Sequence, residues 1–319
     1  MAFKMFKRSV HRLTYRAQVT SPTAERVWIV VPLPLETPWQ QVLEKISFTP
    51  AITHIGRDAR FDNPYAMWET KMLADTPMAF HYTTIVRVEA RTRPTAPQPT
   101  PRLGSLCHFD ESVDEEKSPS DVRREDLSLR QTPFEMTNAI NGGALNFRWD
   151  KLAKKIRGTE TDTFKILHRI NRYVIAHLTY GDPIPGLYSA EDALTKPRVD
   201  CGGFDSLFIA LCLALGIPAR LISGFWKEGS MHAWLEAQLE DGTWIPADPS
   251  VEQLFALKRT RRSGRLGFVD NDRIAFSLGS LIPIEINGQH LTVPLLQHPF
   301  VYAPDTQTVL YAEAHVATV

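Results

Sequence analysis

The chain has 319 residues, of which 43% are hydrophobic and 23% are charged, an ordinary balance for a globular protein with a sizeable core. Lysine plus arginine equals aspartate plus glutamate at 36 each, so no net charge draws the protein onto nucleic acid or an anionic membrane. These numbers argue against nucleic acid as a partner, and the length is enough for two domains.

The N-terminus is basic but lacks the continuous apolar stretch that a signal peptide needs. Nowhere do about eighteen apolar residues follow one another, so we expect no membrane span. Three cysteines do not form a disulfide framework in a chain of this length. We therefore expect a cytoplasmic location, where a reducing environment also suits a free reactive thiol. The oligomeric state is left open.

Residues 1–92 are predicted to form a β-rich, sandwich-like domain. Residues 27–31 are a short β-branched run stopped by Pro32, and residues 82–88 have the same character. Turn formers such as Asp62, Asn63 and Pro64 interrupt the segment at short intervals. This pattern favours a small antiparallel sandwich over helices.

Residues 93–130 are predicted to be a linker. Their first part is rich in proline, which cannot continue a sheet, and residues 110–126 are highly charged with almost no apolar content. A solvated linker or surface excursion is favoured over a docking segment.

Residues 131–319 are predicted to form a core with helices first and strands towards the C-terminus. One helix should begin after a cap at Asp162, and another at Ser189, whose hydroxyl could form a capping box with Asp192. Strands after Glu252 are expected to finish the core sheet. The first helix has one apolar face, made by residues at spacings of three and four: Phe164, Leu167, Ile170, Val174 and Leu178.

A buried helix is predicted directly after Cys201, because an apolar run over 207–215 ends at Gly216 and Pro218. Free amides and the positive end of the helix dipole favour a thiolate at such a position, so the pKa of Cys201 is expected to be lowered. Gly202 and Gly203 would leave room for a substrate backbone. Cys212 lies among leucines and is read as core.

A hairpin is predicted from His232 to Asp248, turning at Asp241-Gly242 and stopped by Pro249. Both ends of the hairpin then lie close together, and the Asp248 carboxylate could accept the imidazole Nδ1–H. Taken singly, such a cysteine is usually a buried hydrophobe, such a histidine a solvated residue and such an aspartate a turn former. Together they supply a nucleophile, a base and a group that orients the base.

These segments resemble the transglutaminase-like superfamily, a papain-like cysteine fold. The resemblance rests on Asp200-Cys201-Gly202, on the run from Ala214 to Arg220, on His232-Ala233-Trp234 and on Ala247-Asp248-Pro249. It implies an α+β protein: a β-sandwich of the kind found in bacterial members, then helices packed on an antiparallel sheet.

The resemblance assigns catalytic roles to Cys201, His232 and Asp248. Tyr180, Gly202 and Trp234 are candidates for oxyanion or substrate contacts, and the Cys201 amide is a further oxyanion donor. Tyr180 could equally have a plain packing role. The Gly-Gly-Phe that follows the nucleophile departs from the more polar residues of many bacterial members and bears on substrate preference.

The expected reaction is acyl transfer from an amide or peptide bond through a thioester on Cys201. Hydrolysis is favoured over transfer to an amine, which would make the protein a transglutaminase. The remaining alternative is a catalytically silent interaction module. No cofactor or metal is expected, because Cys107-His108 has no second close-spaced pair to complete a zinc site. The basic run from Lys258 to Arg265 is read as a solvated loop.

Overall fold

The computed structural model describes residues 8–92, 146–304 and 307–319. The chain is an α+β protein whose sheets are antiparallel in the strands described, which confirms the predicted fold class. The predicted linker, together with Cys107 and His108, lies outside the described residues. Within the described part, no helix has the length and apolar character needed to span a membrane.

The N-terminal part contributes eight strands, separated by short turns. They are β1 (Arg8–Thr20), β2 (Arg26–Pro32), β3 (Gln40–Val42), β4 (Ser47–Thr49), β5 (His54–Arg57), β6 (Pro64–Lys71), β7 (Met78–Glu89) and β8 (Arg91–Thr92).

The core begins with helices and continues with strands. Its elements are α1 (Asn146–Arg157), α2 (Thr163–His177), α3 (Ala190–Thr195), α4 (Cys201–Ala214), β9 (Ala219–Trp226), β10 (Met231–Gln238), β11 (Trp244–Ala247) and α5 (Pro249–Ala256).

The chain ends in a series of strands. They are β12 (Gly264–Arg265), β13 (Phe268–Val269), β14 (Arg273–Leu278), β15 (Ile282–Ile286), β16 (Gln289–Val293), β17 (Phe300–Tyr302) and β18 (Val309–Thr318).

Two sheets form the sandwich, and both contain strands from the C-terminal end. One has the order β18-β1-β7-β3, with β4 also on β7, and the other has the order β17-β2-β6-β5. Alternation along β1 buries Leu13, Tyr15, Ala17 and Val19 between the sheets, as period-2 patterning requires.

The C-terminal strands differ in part from the expectation that they would finish the core sheet. Strand β14 does so, but β17 and β18 pair with β2 and β1 of the sandwich. Strand β18 runs beside β1 from Thr318 opposite His11 to Val309 opposite Thr20. This pairing covers an edge of β1 that would otherwise be exposed, and Leu310 becomes part of the sandwich core.

The core sheet has the order β11-β10-β9-β14, and α4 packs on one of its faces. Residues of α4 that are fully buried include Phe204, Leu207, Phe208, Leu211 and Cys212, so the core reading of Cys212 is confirmed. The apolar face of α2 is confirmed as well. So are its cap at Asp162 and the capping box of Ser189 with Asp192.

The sandwich and the core meet through a buried carboxylate. Glu236 on β10 is 2% exposed and lies 2.6 Å from Arg91 of β8 and 2.6 Å from Arg220 of β9. Each arginine also lies over an indole ring, Arg91 over Trp39 and Arg220 over Trp244. The other end of this sheet, where α4 and β10 begin, carries the residues that sequence reasoning singled out.

Candidate active site

Cys201 is the first residue of α4, as predicted. Asp200 caps the helix, because its carboxylate accepts the Gly203 N–H at 3.2 Å. The backbone amide of Cys201 therefore belongs to the first turn, where helix amides have no intrahelical acceptor. The side chain is partly exposed and packs beside Ala233, the residue that follows His232.

The glycines after Cys201 make room for the protein itself, which corrects the expectation of space for a substrate backbone. A Cβ at Gly202 would lie 2.7 Å from Leu187 Cδ1, and one at Gly203 would lie 2.6 Å from Val199 Cβ. Gly202 is buried, so its space is already filled. Gly202 and Gly203 therefore let the start of α4 lie close to Leu187 and Val199, which precede it in the chain.

The electrostatic environment of Cys201 is the reverse of the expected one. Burial raises the pKa of the Cys201 thiol well above its usual value, and the Asp200 and Asp205 carboxyls raise it further. The Ala233 N–H has the opposite effect on this pKa but does not outweigh them. The free protein thus holds Cys201 as a thiol, and a base must take its proton when it reacts.

His232 and Asp248 meet at one end of the hairpin. Strands β10 and β11 pair with Leu235 opposite Ala247, so both residues lie beyond the same end of the pairing. His232 Nε2 lies 2.8 Å from Asp248 Oδ2. The predicted proximity is confirmed, but the predicted atom is wrong: Nε2, not Nδ1, carries the hydrogen bond. A carboxylate only accepts, so Nε2 bears a proton, and in the neutral form of the ring Nδ1 has the lone pair.

Asp248 is fully buried and accepts hydrogen bonds from several described donors. His232 Nε2 and Arg273 Nη1 donate to Oδ2, while Ser250 Oγ and the Val251 N–H donate to Oδ1 at 3.0 and 3.1 Å. Burial alone would raise the pKa of this carboxyl, but the interaction with His232, the Arg273 charge and the Val251 amide lower it overall. Asp248 is therefore an anion held in a fixed orientation.

The imidazole ring of His232 is held by aromatic stacking and by its backbone. Its centroid lies 4.2 Å from that of Trp226, with 22° between the planes. Gln297, from the segment between β16 and β17, donates its amide to the His232 carbonyl at 2.9 Å. His232 is 4% exposed, so the surrounding side chains restrict its ring to few other conformations.

Arg273 was missed by sequence reasoning. It begins β14, is 1% exposed and contacts Asp248 Oδ2 directly. Its other donors bind Asp272 at 3.1 Å and the Ser263 carbonyl at 2.8 Å, and its guanidinium lies 4.1 Å from the Trp226 centroid. A signal was available, because this arginine begins a mostly apolar strand, but nothing in the sequence indicated its partner.

Asp205 was also missed. It lies one helical turn after Cys201, is fully buried, and neither carboxyl oxygen has a hydrogen-bond partner among the described residues. Burial raises the pKa of Asp205 well above its usual value, and the Asp248 and Asp200 charges raise it further. An acidic residue inside an apolar helical run was the available signal.

The three oxyanion or substrate candidates differ in position. Tyr180 is partly buried, its backbone bridges Val199, and the nearness of Cys201 contributes, after burial, to the raised pKa of its hydroxyl. Gly202 lies beside Cys201 but is covered. Trp234 is fully buried, and its role as a substrate contact stays a prediction. Its ring stacks 6.0 Å from His232.

Apolar side chains surround the thiol. Cys201 packs against a cluster of the buried side chains Leu187, Leu221 and Ala233. Two large hydrophobic side chains nearby are exposed: Ile184, whose N–H donates to Asp200 Oδ2, and Met231. No group of three or more metal-ligating side chains lies together in the described ranges.

Comparison with known proteins supports this reading of the core. Residues 150–249 match the family model described as the Transglutaminase-like superfamily. The segment runs from within α1 to the end of β11 and holds all three proposed catalytic residues. No curated protein matched the sequence.

One solved structure has a similar fold. A candidate cysteine protease from Cytophaga hutchinsonii is 17% identical, with 98% of this chain and 100% of that chain covered and a TM-score of 0.52. The periplasmic domain of TgpA from Pseudomonas aeruginosa is 13% identical, with 81% and 94% covered and a TM-score of 0.33. The α+β fold agrees with the papain-like class that the sequence predicted. Within that class, residues 150–249 are the segment that matches the transglutaminase-like superfamily.

Proposed function

We propose that this protein is a cysteine-dependent enzyme that transfers the acyl group of an amide or peptide bond to Cys201. The observation that carries the proposal is the His232–Asp248 hydrogen bond at 2.8 Å, next to a partly exposed cysteine that heads a helix. His232 is the base, and Asp248 fixes its tautomer. The transglutaminase-like fold supports an enzyme with a peptide or protein substrate.

In the proposed reaction, His232 Nδ1 takes the thiol proton while Cys201 Sγ attacks the carbonyl carbon. The C–N bond breaks, the imidazolium gives its proton to the leaving amine, and a thioester remains on Cys201. Water then attacks the thioester and gives a proton to His232, which returns it to the departing sulfur. The Cys201 amide and the Tyr180 hydroxyl are the proposed oxyanion donors.

Water is the favoured acceptor, because it needs no binding site of its own. Transfer to an amine would need a second site that holds the amine and excludes water from the thioester. We therefore rank a peptidase or amidase above a transglutaminase. A silent interaction module is the remaining candidate, and the intact set of Cys201, His232 and Asp248 argues against it.

The test is a peptide library incubated with the protein, with and without a primary amine, and read by mass spectrometry. Cleaved products support hydrolysis, and peptide–amine adducts support transferase activity. Cys201→Ala should abolish both, whereas Cys212→Ala, a buried cysteine in the same helix, should retain them. Binding of peptides without turnover by the wild type would favour the silent module.

Cytoplasmic location stays a prediction. The prediction rests on the reducing environment of the cytoplasm, which would keep Cys201 free. Fractionation of cells that express the protein from its own gene would test it. Recovery of the protein in another compartment would contradict the prediction without affecting the proposed chemistry.

A further inference from the structure

We propose that Arg273 is a positioning residue of this site, which fixes the Asp248 carboxylate so that Oδ2 is presented to His232 Nε2. The proposal rests on the cysteine-dependent acyl transfer proposed above, since it assigns a role within that reaction. Arg273 does not touch the substrate or the reacting atoms. It acts through Asp248.

The geometry begins with one shared oxygen. Asp248 Oδ2 accepts from both His232 Nε2 and Arg273 Nη1. The two donors approach the same atom from different strands, His232 from β10 and Arg273 from β14. A carboxylate can rotate about its terminal bond, and the two donors together restrict that rotation. The direction of the acceptor then determines the direction of the ring.

Arg273 is itself held on every side that the structure describes. Its Nε donates to Asp272 at 3.1 Å and its Nη2 to the Ser263 carbonyl at 2.8 Å. Its guanidinium lies over Trp226, the ring on which His232 also stacks. A planar, fork-shaped cation makes these contacts at once, whereas a lysine ammonium cannot reproduce them. One indole thus supports both donors to Asp248.

The backbone at Gly264 packs closely against the Asp248 side chain. A Cβ at Gly264 would lie 2.9 Å from Asp248 Cβ and 3.0 Å from Oδ2, so the main chain of β12 touches the carboxylate. Gly264 directly follows Ser263, whose carbonyl binds Arg273. The chain at Ser263 and Gly264 therefore contacts both Arg273 and Asp248.

A purely structural ion pair is the competing explanation, and the chain contains a matched example. Arg91 is 10% exposed, binds the buried Glu236 at 2.6 Å and lies 4.8 Å over Trp39. This arginine–carboxylate–indole arrangement resembles that of Arg273 but includes no proposed catalytic residue. Substitution of Arg91 therefore measures the cost of losing a buried arginine alone.

The kinetic experiment compares Arg273→Lys and Arg273→Ala with Arg91→Lys and Arg91→Ala, on a substrate from the peptide library. We expect kcat to fall about 10- to 100-fold in the Arg273 variants with KM changed less than about twofold, because a small misplacement of the base weakens the transition state. The Arg91 variants should keep kcat within about twofold. Millimolar guanidinium should restore part of the kcat of Arg273→Ala, and matched sodium chloride should not.

Wild-type kcat in folded Arg273 variants, or an equal fall in the Arg91 variants, would overturn the proposal. Loss of the proposed function is recognised separately, because Cys201→Ala would then retain activity.

A measurement on the wild-type protein needs no variant to fold. With isotope-labelled histidine and arginine, the His232 ring should appear as the single Nε2–H tautomer. Its proton should show a nuclear Overhauser contact with an Arg273 guanidinium proton, because both point at Asp248 Oδ2. A mixture of tautomers, or the absence of that contact when the other Arg273 protons are seen, would contradict the inferred role whether or not the protein is an enzyme.

Discussion

Asp205 lies one helical turn after Cys201, fully buried, with both carboxyl oxygens lacking a hydrogen-bond partner among the described residues. Burial raises the pKa of Asp205, and the charges of Asp248 and Asp200 raise it further. The Asp205 carboxyl therefore keeps its proton in the folded protein at pH values where the unfolded chain loses it. A buried acid of this kind costs stability as the pH rises above the ordinary carboxyl pKa.

Asp205→Asn should therefore remove a pH-dependent destabilisation. The unfolded chain releases the Asp205 proton above about pH 4, so the wild type should lose up to about 1.4 kcal/mol per pH unit relative to the variant over this range. Urea denaturation of both proteins from about pH 5 to about pH 8 measures the difference. We expect the difference in the free energy of unfolding between the two proteins to be smallest at the acid end of this range and to grow as the pH rises.

The control is Asp182→Asn, which changes an exposed carboxylate at 57% side-chain exposure. As an exposed ion-pair partner, it should change the free energy of unfolding by less than about 1 kcal/mol. A stability difference for Asp205→Asn that is constant across this pH range would show that the buried carboxyl does not bind its proton as inferred.

The Cys201 thiol should react slowly with iodoacetamide near neutral pH. Burial raises its pKa well above the usual value, and the Asp200 and Asp205 carboxyls add to the shift. Since only the thiolate reacts, the labelling rate should keep rising with pH and show no plateau near pH 6. Peptide mapping after timed labelling follows the site.

Cys212 supplies the comparison, because it is fully buried within the same helix and burial raises its pKa too. It should be labelled only after denaturation, whereas Cys201 is partly exposed and should be labelled in the folded protein. A labelling rate for Cys201 that is already maximal at about pH 6 would contradict the raised pKa and support the lowered pKa predicted from its helix position.

Asp248→Asn should lower turnover less than Cys201→Ala or His232→Ala. In a serine triad the corresponding change lowers kcat by about 10⁴-fold, and a thiol ionises more readily than a hydroxyl, so a smaller loss is expected here. Combining the substitutions should add little, because the residues act as a unit. Steady-state kinetics on a library substrate measures the order.

Asparagine has one amide oxygen, which accepts, and one NH2 group, which only donates. The variant therefore cannot accept both at the Oδ2 position, from His232 Nε2 and Arg273 Nη1, and at the Oδ1 position, from the Val251 N–H. Full activity of Asp248→Asn would mean that this residue is only a helix cap, a structural role that it also has through the Val251 N–H. The site would then be a dyad of Cys201 and His232.

Arg91→Met should destabilise the protein without changing the chemistry of the site. It removes one of two arginines from Glu236, which is 2% exposed, and leaves the carboxylate with Arg220 alone. We expect a loss of about 1–3 kcal/mol in the free energy of unfolding, below the loss for an unpaired buried charge. Chemical denaturation measures this loss.

A surface pair gives the contrast. Arg26→Met breaks an exposed ion pair with Glu69 at 2.9 Å and should cost less than about 1 kcal/mol. Equal losses for the two variants would indicate that Glu236 does not depend on Arg91.

Gly203→Ala should be more damaging than Gly202→Ala. The added methyl would lie 2.6 Å from the Cβ of Val199, a stiff β-branched residue, so the backbone must move. At Gly202 the clash is with Leu187 Cδ1 at 2.7 Å, the far end of a side chain that can rotate. We expect a loss of about 1–3 kcal/mol for Gly203→Ala and a smaller one for Gly202→Ala, measured by urea denaturation.

Gly202→Ala should also affect activity, because Leu187 belongs to the cluster that contacts Cys201. A changed KM with a small stability loss is expected for Gly202→Ala. Equal stability losses for both variants would show that Leu187 is as fixed as Val199.

Much of the site could be predicted from local patterns. The apolar run after Cys201 indicated a helix start, the Asp241-Gly242 turn set the hairpin, and Asp248 followed from the hairpin length. Helix caps and turns depend on residues within a few positions of each other, so a single sequence contains their physical cause.

Tertiary structure decided what depends on groups far apart in the chain. Arg273 reaches Asp248 only because β14 pairs with β9, and strands β17 and β18 return to the sandwich across the length of the protein. The position of the imidazole determined that Nε2, not Nδ1, meets the carboxylate. The Cys201 pKa follows burial and the charges of several elements, which outweigh the helix start that the sequence displayed, because desolvation is a property of the assembled site.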